Sequence, residues 1–173
     1  EDTITGGAGD DTVYGGAGAD SVTLGDGNDS FGSFGGDLGN DTVHGGLGND
    51  SIIGGYGDDL IYGDDGNDML SGGAGNDTLL GGAGDDWIAV TDDHDTTLAD
   101  GGTGADTLSL ANNATTDGVS VTYSGTGAGS FTYTGGSASG TFTSIEGIAG
   151  TSYADVLNAA SDTVGVSLWG GDG

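Results

Sequence analysis

Residues 6–14 read Gly-Gly-Ala-Gly-Asp-Asp-Thr-Val-Tyr, and residues 15–23 follow at once with Gly-Gly-Ala-Gly-Ala-Asp-Ser-Val-Thr. The same phrase returns at 45–53, 54–62, 72–80, 81–89 and 101–109, with looser copies at 24–32, 36–44 and 63–71. Its form is Gly-Gly-x-Gly-x-Asp-x-apolar-x. A period this short constrains the fold severely. One repeat cannot bury its own apolar side chain, so neighbouring repeats must stack into a solenoid with a continuous core.

The eighth position supplies that core: Ile4, Val13, Val22, Phe31, Val43, Ile52, Ile61, Leu70, Leu79, Ile88 and Leu108. In a strand the side chains alternate, so this residue faces inward while its neighbours face water. Each nonapeptide therefore reads as a six-residue turn and a three-residue strand, and two of them make one coil. Glycine at positions one, two and four permits backbone conformations that a Cβ forbids and leaves carbonyl oxygens uncovered. The chain has 42 glycines, and their phase separates it from a flexible linker. Acidic, glycine-rich composition can also mean disorder. The phased apolar residues argue against that reading once metal is bound.

Charge adds the second constraint. Lys and Arg are absent and 28 acidic residues give a formal net charge of −28. Such a chain has no cation with which to displace counterions from nucleic acid, and none to hold an anionic membrane surface. No apolar run approaches the length that spans a membrane. There is no Cys, which excludes disulfides, zinc ribbons and thiol chemistry. Two nonapeptides per coil place the sixth-position aspartates in two rows. One row holds Asp11, Asp29, Asp50, Asp68, Asp86 and Asp106; the other holds Asp2, Asp20, Asp41, Asp59, Asp77 and Asp95. Coils stack about 4.8 Å apart. Bare carboxylates at that spacing repel by roughly 3 kcal/mol per pair at an effective dielectric near 20. A divalent cation between coils turns the repulsion into attraction. The donors are carboxylate, carbonyl and water, all hard oxygens, which favours multiple Ca2+ ions over Mg2+ and disfavours zinc or copper.

These residues resemble the RTX family, the haemolysin-type calcium-binding repeats of secreted bacterial proteins. The resemblance covers 1–109 and implies an all-β, right-handed parallel β-roll. It implies that carbonyls at positions two and four join the sixth-position Asp of one turn, and that carbonyls at positions one and three of the turn two repeats later complete the site. One site would use Gly7, Gly9 and Asp11 with Leu24, Asp26 and Asp29; another would use Gly46, Gly48 and Asp50 with Gly63, Asp65 and Asp68. The remaining main-chain donors implied are Gly16, Gly18, Gly25, Gly27, Gly39, Gly55, Gly57, Gly66, Gly73, Gly75, Gly82, Gly84, Gly102 and Gly104. Asp37 and Asp64 stand where the pattern has its second glycine.

Ser33-Phe34-Gly35 reads as an insertion that lengthens one coil. From 87 to 100 the rhythm stretches: Ile88 and Val90 point inward, Asp92-Asp93-His94-Asp95 turns, and Leu98 is expected to return to the core. Val119, Val121 and Tyr123, then Phe131 and Tyr133, alternate with Ser and Thr around a glycine-rich turn, which predicts a β-hairpin. A further strand is expected near Thr141–Ile145. The segment 144–157 resembles one that accompanies RTX arrays and re-enters the solenoid, with Asp155 in the sixth-position role. The chain thus divides into a calcium-binding β-roll at 1–109, a non-repeat β-strand segment at 110–149, and a return to the solenoid at 150–173 that ends mid-repeat.

No enzyme signature emerges. There is no Lys for a phosphate-binding loop and no Gly-x-Ser-x-Gly elbow. Adjacent carboxylates such as Asp10 and Asp11 face opposite ways on a strand. His44 reads as a surface residue, and His94 as a solvated loop residue. Joining Gly170-Gly171-Asp172-Gly173 to Glu1-Asp2-Thr3-Ile4-Thr5 writes a complete repeat in phase, as in a module continued head to tail or a fragment trimmed inside a longer array. The expected function is a calcium-folded structural module of a secreted or bacterial cell-surface protein, self-associating or continued by identical modules. The alternative is a calcium-triggered folding and export domain beside an extracellular toxin, protease, lipase or epimerase. Neither involves nucleic acid or membrane insertion.

Overall fold

The computed structural model describes residues 1–32, 38–91, 96–111, 118–135, 138–163 and 165–171. The insertion at Ser33-Phe34-Gly35, Asp37, the Asp92-Asp93-His94-Asp95 turn and the final Asp172-Gly173 lie outside those residues. The strands are β1 (Thr3–Ala8), β2 (Thr12–Val13), β3 (Ser21–Asp26), β4 (Ser30–Phe31), β5 (Thr42–Leu47) and β6 (Ser51–Tyr56). They continue with β7 (Leu60–Asp65), β8 (Met69–Ala74), β9 (Thr78–Ala83), β10 (Trp87–Ala89), β11 (Thr96–Thr103) and β12 (Thr107–Ser109). The last six are β13 (Val119–Gly125), β14 (Ala128–Tyr133), β15 (Ser139–Thr143), β16 (Gly147–Ala149), β17 (Val156–Asn158) and β18 (Ser167–Trp169). There is no helix among the described residues.

Odd and even strands of the array alternate between two sheets. The first has the order β1-β3-β5-β7-β9-β11-β15-β14-β13-β17, and the second β18-β16-β12-β10-β8-β6-β4-β2. All array pairings are parallel, so each coil contributes one strand to each sheet, as a β-roll requires. The step between coils is 18 residues in the regular stretches, and 21 or 20 where a coil is lengthened. Stacking absorbs the extra residues: Val22 still pairs with Val43.

The eighth-position side chains form the core between the sheets, and Val22, Phe31, Val43, Ile52, Ile61, Leu70, Leu79, Ile88 and Leu108 are buried. Each contributes roughly 1.5–3 kcal/mol by leaving water. The strands, however, are longer than three residues. Those from β5 to β9 run six, from the seventh position through the third position of the following repeat. The first two glycines therefore belong to the ladder, and only positions four to six turn. The cause is parallel stacking, which pairs each coil with the next along its contour; Gly27 N–H, for example, donates to Leu47 O at 2.8 Å. The second glycine bends the strand without leaving the ladder, as at Gly46 with φ 111°.

The lengthened coil near residue 95 shifts the expected phase. Leu98 pairs with Thr78 and Ala99 with Leu79, so Ala99 enters the core and Leu98 is 45% exposed. Hydrophobicity at 98 pointed the wrong way, because the neighbouring coil sets which residue faces inward. The same register puts Thr97, which is buried, over Asp77 in the place expected for Asp95.

The hairpin is β13 with β14, and β15 extends it into an antiparallel meander. The third strand, Ser139–Thr143, begins before the expected Thr141–Ile145, and Ile145 lies in the turn after it. The meander is built into the first sheet: β15 pairs with β11 and β13 with β17. In the second sheet β16 passes directly to β18, so β13 and β14 have no counterparts there. Large side chains take up the extra volume. Tyr123 and Phe142 meet edge to face at 5.0 Å, and Phe131 and Tyr133 at 6.2 Å. The Tyr133 hydroxyl donates to Leu110 O at 2.9 Å, which ties the meander to the residue that follows the last array strand.

Candidate metal centre

The described nonapeptide corners turn through Gly-x-Asp, and the aspartate's N–H lies where no ladder carbonyl meets it. The next coil's aspartate fills that need with Oδ1. Asp2 N–H donates to Asp20, Asp20 to Asp41, Asp41 to Asp59 and Asp59 to Asp77, at 2.7, 2.8, 2.8 and 3.0 Å. In the other row Asp11 donates to Asp29, Asp29 to Asp50, Asp50 to Asp68, Asp68 to Asp86 and Asp86 to Asp106, each at 2.8 Å. Two carboxylate ladders result, one running from Asp11 to Asp106 and the other from Asp2 to Asp77. From Asp20 and Asp29 to Asp77 and Asp106 their members are at most 3% exposed.

The second oxygen is different. Oδ2 of Asp11, Asp20, Asp29, Asp50, Asp68, Asp86 and Asp106 is buried without a hydrogen-bond partner. An orphaned carboxylate oxygen is costly inside a protein unless a cation meets it. The first-position glycine shows where one fits. A Cβ on Gly6 would run into Leu24 O and Asp11 Oδ2; on Gly63, into Gly81 O and Asp68 Oδ2; on Gly81, into Gly101 O and Asp86 Oδ2. At each of these three corners one carboxylate oxygen and one carbonyl oxygen of the next coil converge where a side chain would begin. No three His, Asp or Glu side chains gather anywhere among the described residues. The donors converge instead as one carboxylate with main-chain carbonyls.

Burial pushes the carboxyls of Asp50, Asp68 and Asp86 up to about 6 from 3.8, against the opposing effect of the N–H each accepts. Neighbouring charges on the ladder add to the rise. Asp106 is raised for the same reasons, chiefly burial, then the charges of Glu146, Asp85 and Asp100. The linkage has a definite sign. The fold holds these protons more tightly than the open chain does, so their contribution is fully present below about pH 4 and is lost as pH rises through about 6. In calcium-free buffer, acidification from pH 7 to 4 should raise β-content by circular dichroism. Over the same interval protons compete for the ion site, so apparent calcium affinity should fall. A calcium affinity unchanged from pH 7 to 5 would contradict this placement of the ligands.

A donor set of buried carboxylate and carbonyl oxygens, with no nitrogen or sulfur, suits Ca2+, which accepts many oxygens in flexible geometry. When bound, the ion supplies positive charge between successive coils. A family model, the RTX calcium-binding nonapeptide repeat (4 copies), matches residues 1–31, 35–70 and 62–97, more than half of the chain. The chain belongs to the RTX repeat family. No curated protein matches it.

Within the RTX array, a Cβ on Gly6 would meet both Leu24 O and Asp11 Oδ2, and one on Gly45 both Gly63 O and Asp50 Oδ2. The third-position carbonyls of Asp26 and Asp65 each accept an N–H, from Gly9 at 2.6 Å and Gly48 at 2.8 Å. Second- and fourth-position carbonyls point along the axis at the next coil's glycines, as Gly7 O does at Gly25 and Gly9 O at Gly27. Asp64, at a second-glycine position, adopts φ 72° and preserves the bend. Its Oδ2 lies 3.2 Å from His44 Nδ1, and His44 stacks on Tyr62 at 4.3 Å. His44 is therefore part of a surface cluster.

Asp155 is a ladder residue in another setting. Its Oδ1 accepts Val119 N–H and its Oδ2 accepts Thr151 N–H, both at 2.8 Å. It stands against the meander, away from the array. Two features escaped the sequence reading. Fifth-position Asx residues form an outer ladder, in which Asn28, Asn49 and Asn67 N–H donate in turn to Asp10, Asn28 and Asn49. Their recurrence before the aspartate was the available signal. Glu146 is the second feature: it continues the ladder beyond Asp106, accepting that residue's N–H at 3.0 Å. The acid-x-apolar-x spacing of Glu146-Gly147-Ile148-Ala149 carried the hint.

Proposed function

We propose that this chain is a calcium-rigidified structural module of a secreted or bacterial cell-surface protein, such as an adhesin, surface layer or matrix fibre, extended by identical modules. The observation that carries the reading is the pair of buried aspartate ladders, in which the inner oxygens of Asp20, Asp29, Asp50, Asp68, Asp86 and Asp106 have no hydrogen-bond partner and call for cations. An ion at each corner would stiffen a rod along its whole length. The outer rungs support continuation: Val156 on β17 is 60% exposed and Trp169 on β18 is 53% exposed, an apolar rung on two edge strands. A second copy's first coil offers matching parallel strands. Calcium at extracellular concentration would be the trigger for folding.

Electron microscopy of the purified chain with millimolar calcium tests this reading. End-to-end filaments are expected with calcium, and none after chelation. Monodisperse short rods over a wide range of protein concentration would overturn self-assembly and favour the export-domain alternative.

A further inference from the structure

The array does not stop at its last nonapeptide. Asp100 stands in register with Thr143, and Thr107 with Gly147. On the array side residues 101–106 fill the corner; on the other side only Ser144, Ile145 and Glu146 do. This short turn nevertheless reproduces the corner's chemistry. A Cβ on Gly101 would meet Ser144 O and Asp106 Oδ2, just as one on Gly81 would meet Gly101 O and Asp86 Oδ2. Ser144 reaches that position at φ 53°, one of two non-glycine residues with positive φ among those described. Such a conformation costs a non-glycine residue energy, and here it aims a carbonyl into the corner. Glu146, longer by one methylene than the aspartate it replaces, still brings a carboxylate oxygen to Asp106 N–H across the shorter turn.

The surroundings hold that turn in place. Ile145 N–H donates to Gly127 O at 2.9 Å, and Gly127 sits in the tight turn between β13 and β14. Glu146 and Gly147 N–H both donate to Asp106 O, at 3.0 and 2.8 Å. Asp106 is 1% exposed and its Oδ2 has no partner, while Asp100 Oδ1 is also buried and unpaired. Asp106 Oδ2 and the Ser144 carbonyl thus converge at one corner, with the Glu146 carboxylate on the Asp106 N–H beside it.

The structure assigns a closing Ca2+ site to Asp106, the Ser144 carbonyl and Glu146, formed half by the array and half by a turn outside any nonapeptide. It rests on the calcium reading of the array and extends it to residues forty positions apart in sequence. Its ion clamps the meander against the last coil, so docking of 139–149 is as calcium-dependent as the array itself. If Glu146 were only a cap for Asp106 N–H, a neutral amide would serve equally well.

Isothermal calorimetry on the full chain at pH 7 separates these cases, with Ca2+ itself as the probe. Glu146→Gln keeps an oxygen for the Asp106 N–H and removes the charge. It should lose one ion from the stoichiometry, or weaken one site by about tenfold or more, because ligand charge tunes affinity. Hydrogen exchange at the Glu146 and Gly147 amides should rise in that variant at saturating calcium, while the Leu60 and Met69 amides stay protected. Asp68→Asn is the control: it should remove one ion from inside the array and leave the Glu146 and Gly147 amides slow. Unchanged stoichiometry and affinities in Glu146→Gln would overturn the closing site, as would loss of every ion together with the fold. A wild-type chain that takes up no calcium would instead overturn the reading of the array.

Discussion

Excess EDTA at pH 7 should abolish the β-signal of the entire chain in circular dichroism, and added calcium should restore it cooperatively. From Asp20 and Asp29 to Asp77 and Asp106 the two ladders bury their aspartates to 3% exposure or less, and Oδ2 of Asp20, Asp29, Asp50, Asp68, Asp86 and Asp106 has no hydrogen-bond partner. No Lys or Arg exists to neutralise them. Repulsion of roughly 3 kcal/mol per neighbouring pair, summed along two rows, exceeds the ~5–15 kcal/mol margin of an ordinary domain. Protonation relieves part of it below about pH 6, where Asp50, Asp68 and Asp86 begin to take up protons. At neutral pH only a cation can. Because each aspartate also caps the N–H of the coil before it, loss of one corner loosens the next, and the transition spreads. A chain that kept its β-structure in excess chelator at pH 7 would refute the ladders as metal sites.

Gly63→Ala should cost the array one ion and lower the stability of the calcium-loaded fold by about 1–3 kcal/mol, the usual penalty of overpacking. The position is chosen because its φ lies outside the left-handed region, so alanine is conformationally allowed there. Only space opposes it: the new Cβ would enter the corner between Asp68 Oδ2 and Gly81 O. Gly125→Ala is the matched control, since a Cβ there meets nothing within 4 Å. Calorimetric stoichiometry and urea denaturation at saturating calcium report both effects. Equal behaviour of the two variants would show that the first glycine is kept for some reason other than the cradle.

Much of this molecule is written in local pattern. The apolar eighth position and the aspartate two residues before it specify which side chains face inward and which line the corners, because a strand's side chains alternate whatever surrounds them. Two ladders, parallel coils and an oxygen-only site follow from that alternation and from the absence of Lys, Arg and Cys. Glycine at the first position was legible as a small residue, although its purpose, leaving room for two converging oxygens, required coordinates.

What the sequence could not decide is whatever depends on the coil above or below. Leu98 is the more hydrophobic candidate for the core, yet Ala99 enters it and Thr97 takes the aspartate's place, since register after a lengthened coil is set by pairing with β9. The glycines read as turn but lie in strands, because parallel stacking pairs each coil along its contour. Glu146 stands outside every nonapeptide, and only stacking brings it over Asp106 from forty residues away. Composition and period specify which atoms each corner needs; only the stacking of distant segments decides which residues supply them, because that contact is made along the solenoid axis, where neighbours in space are not neighbours in sequence.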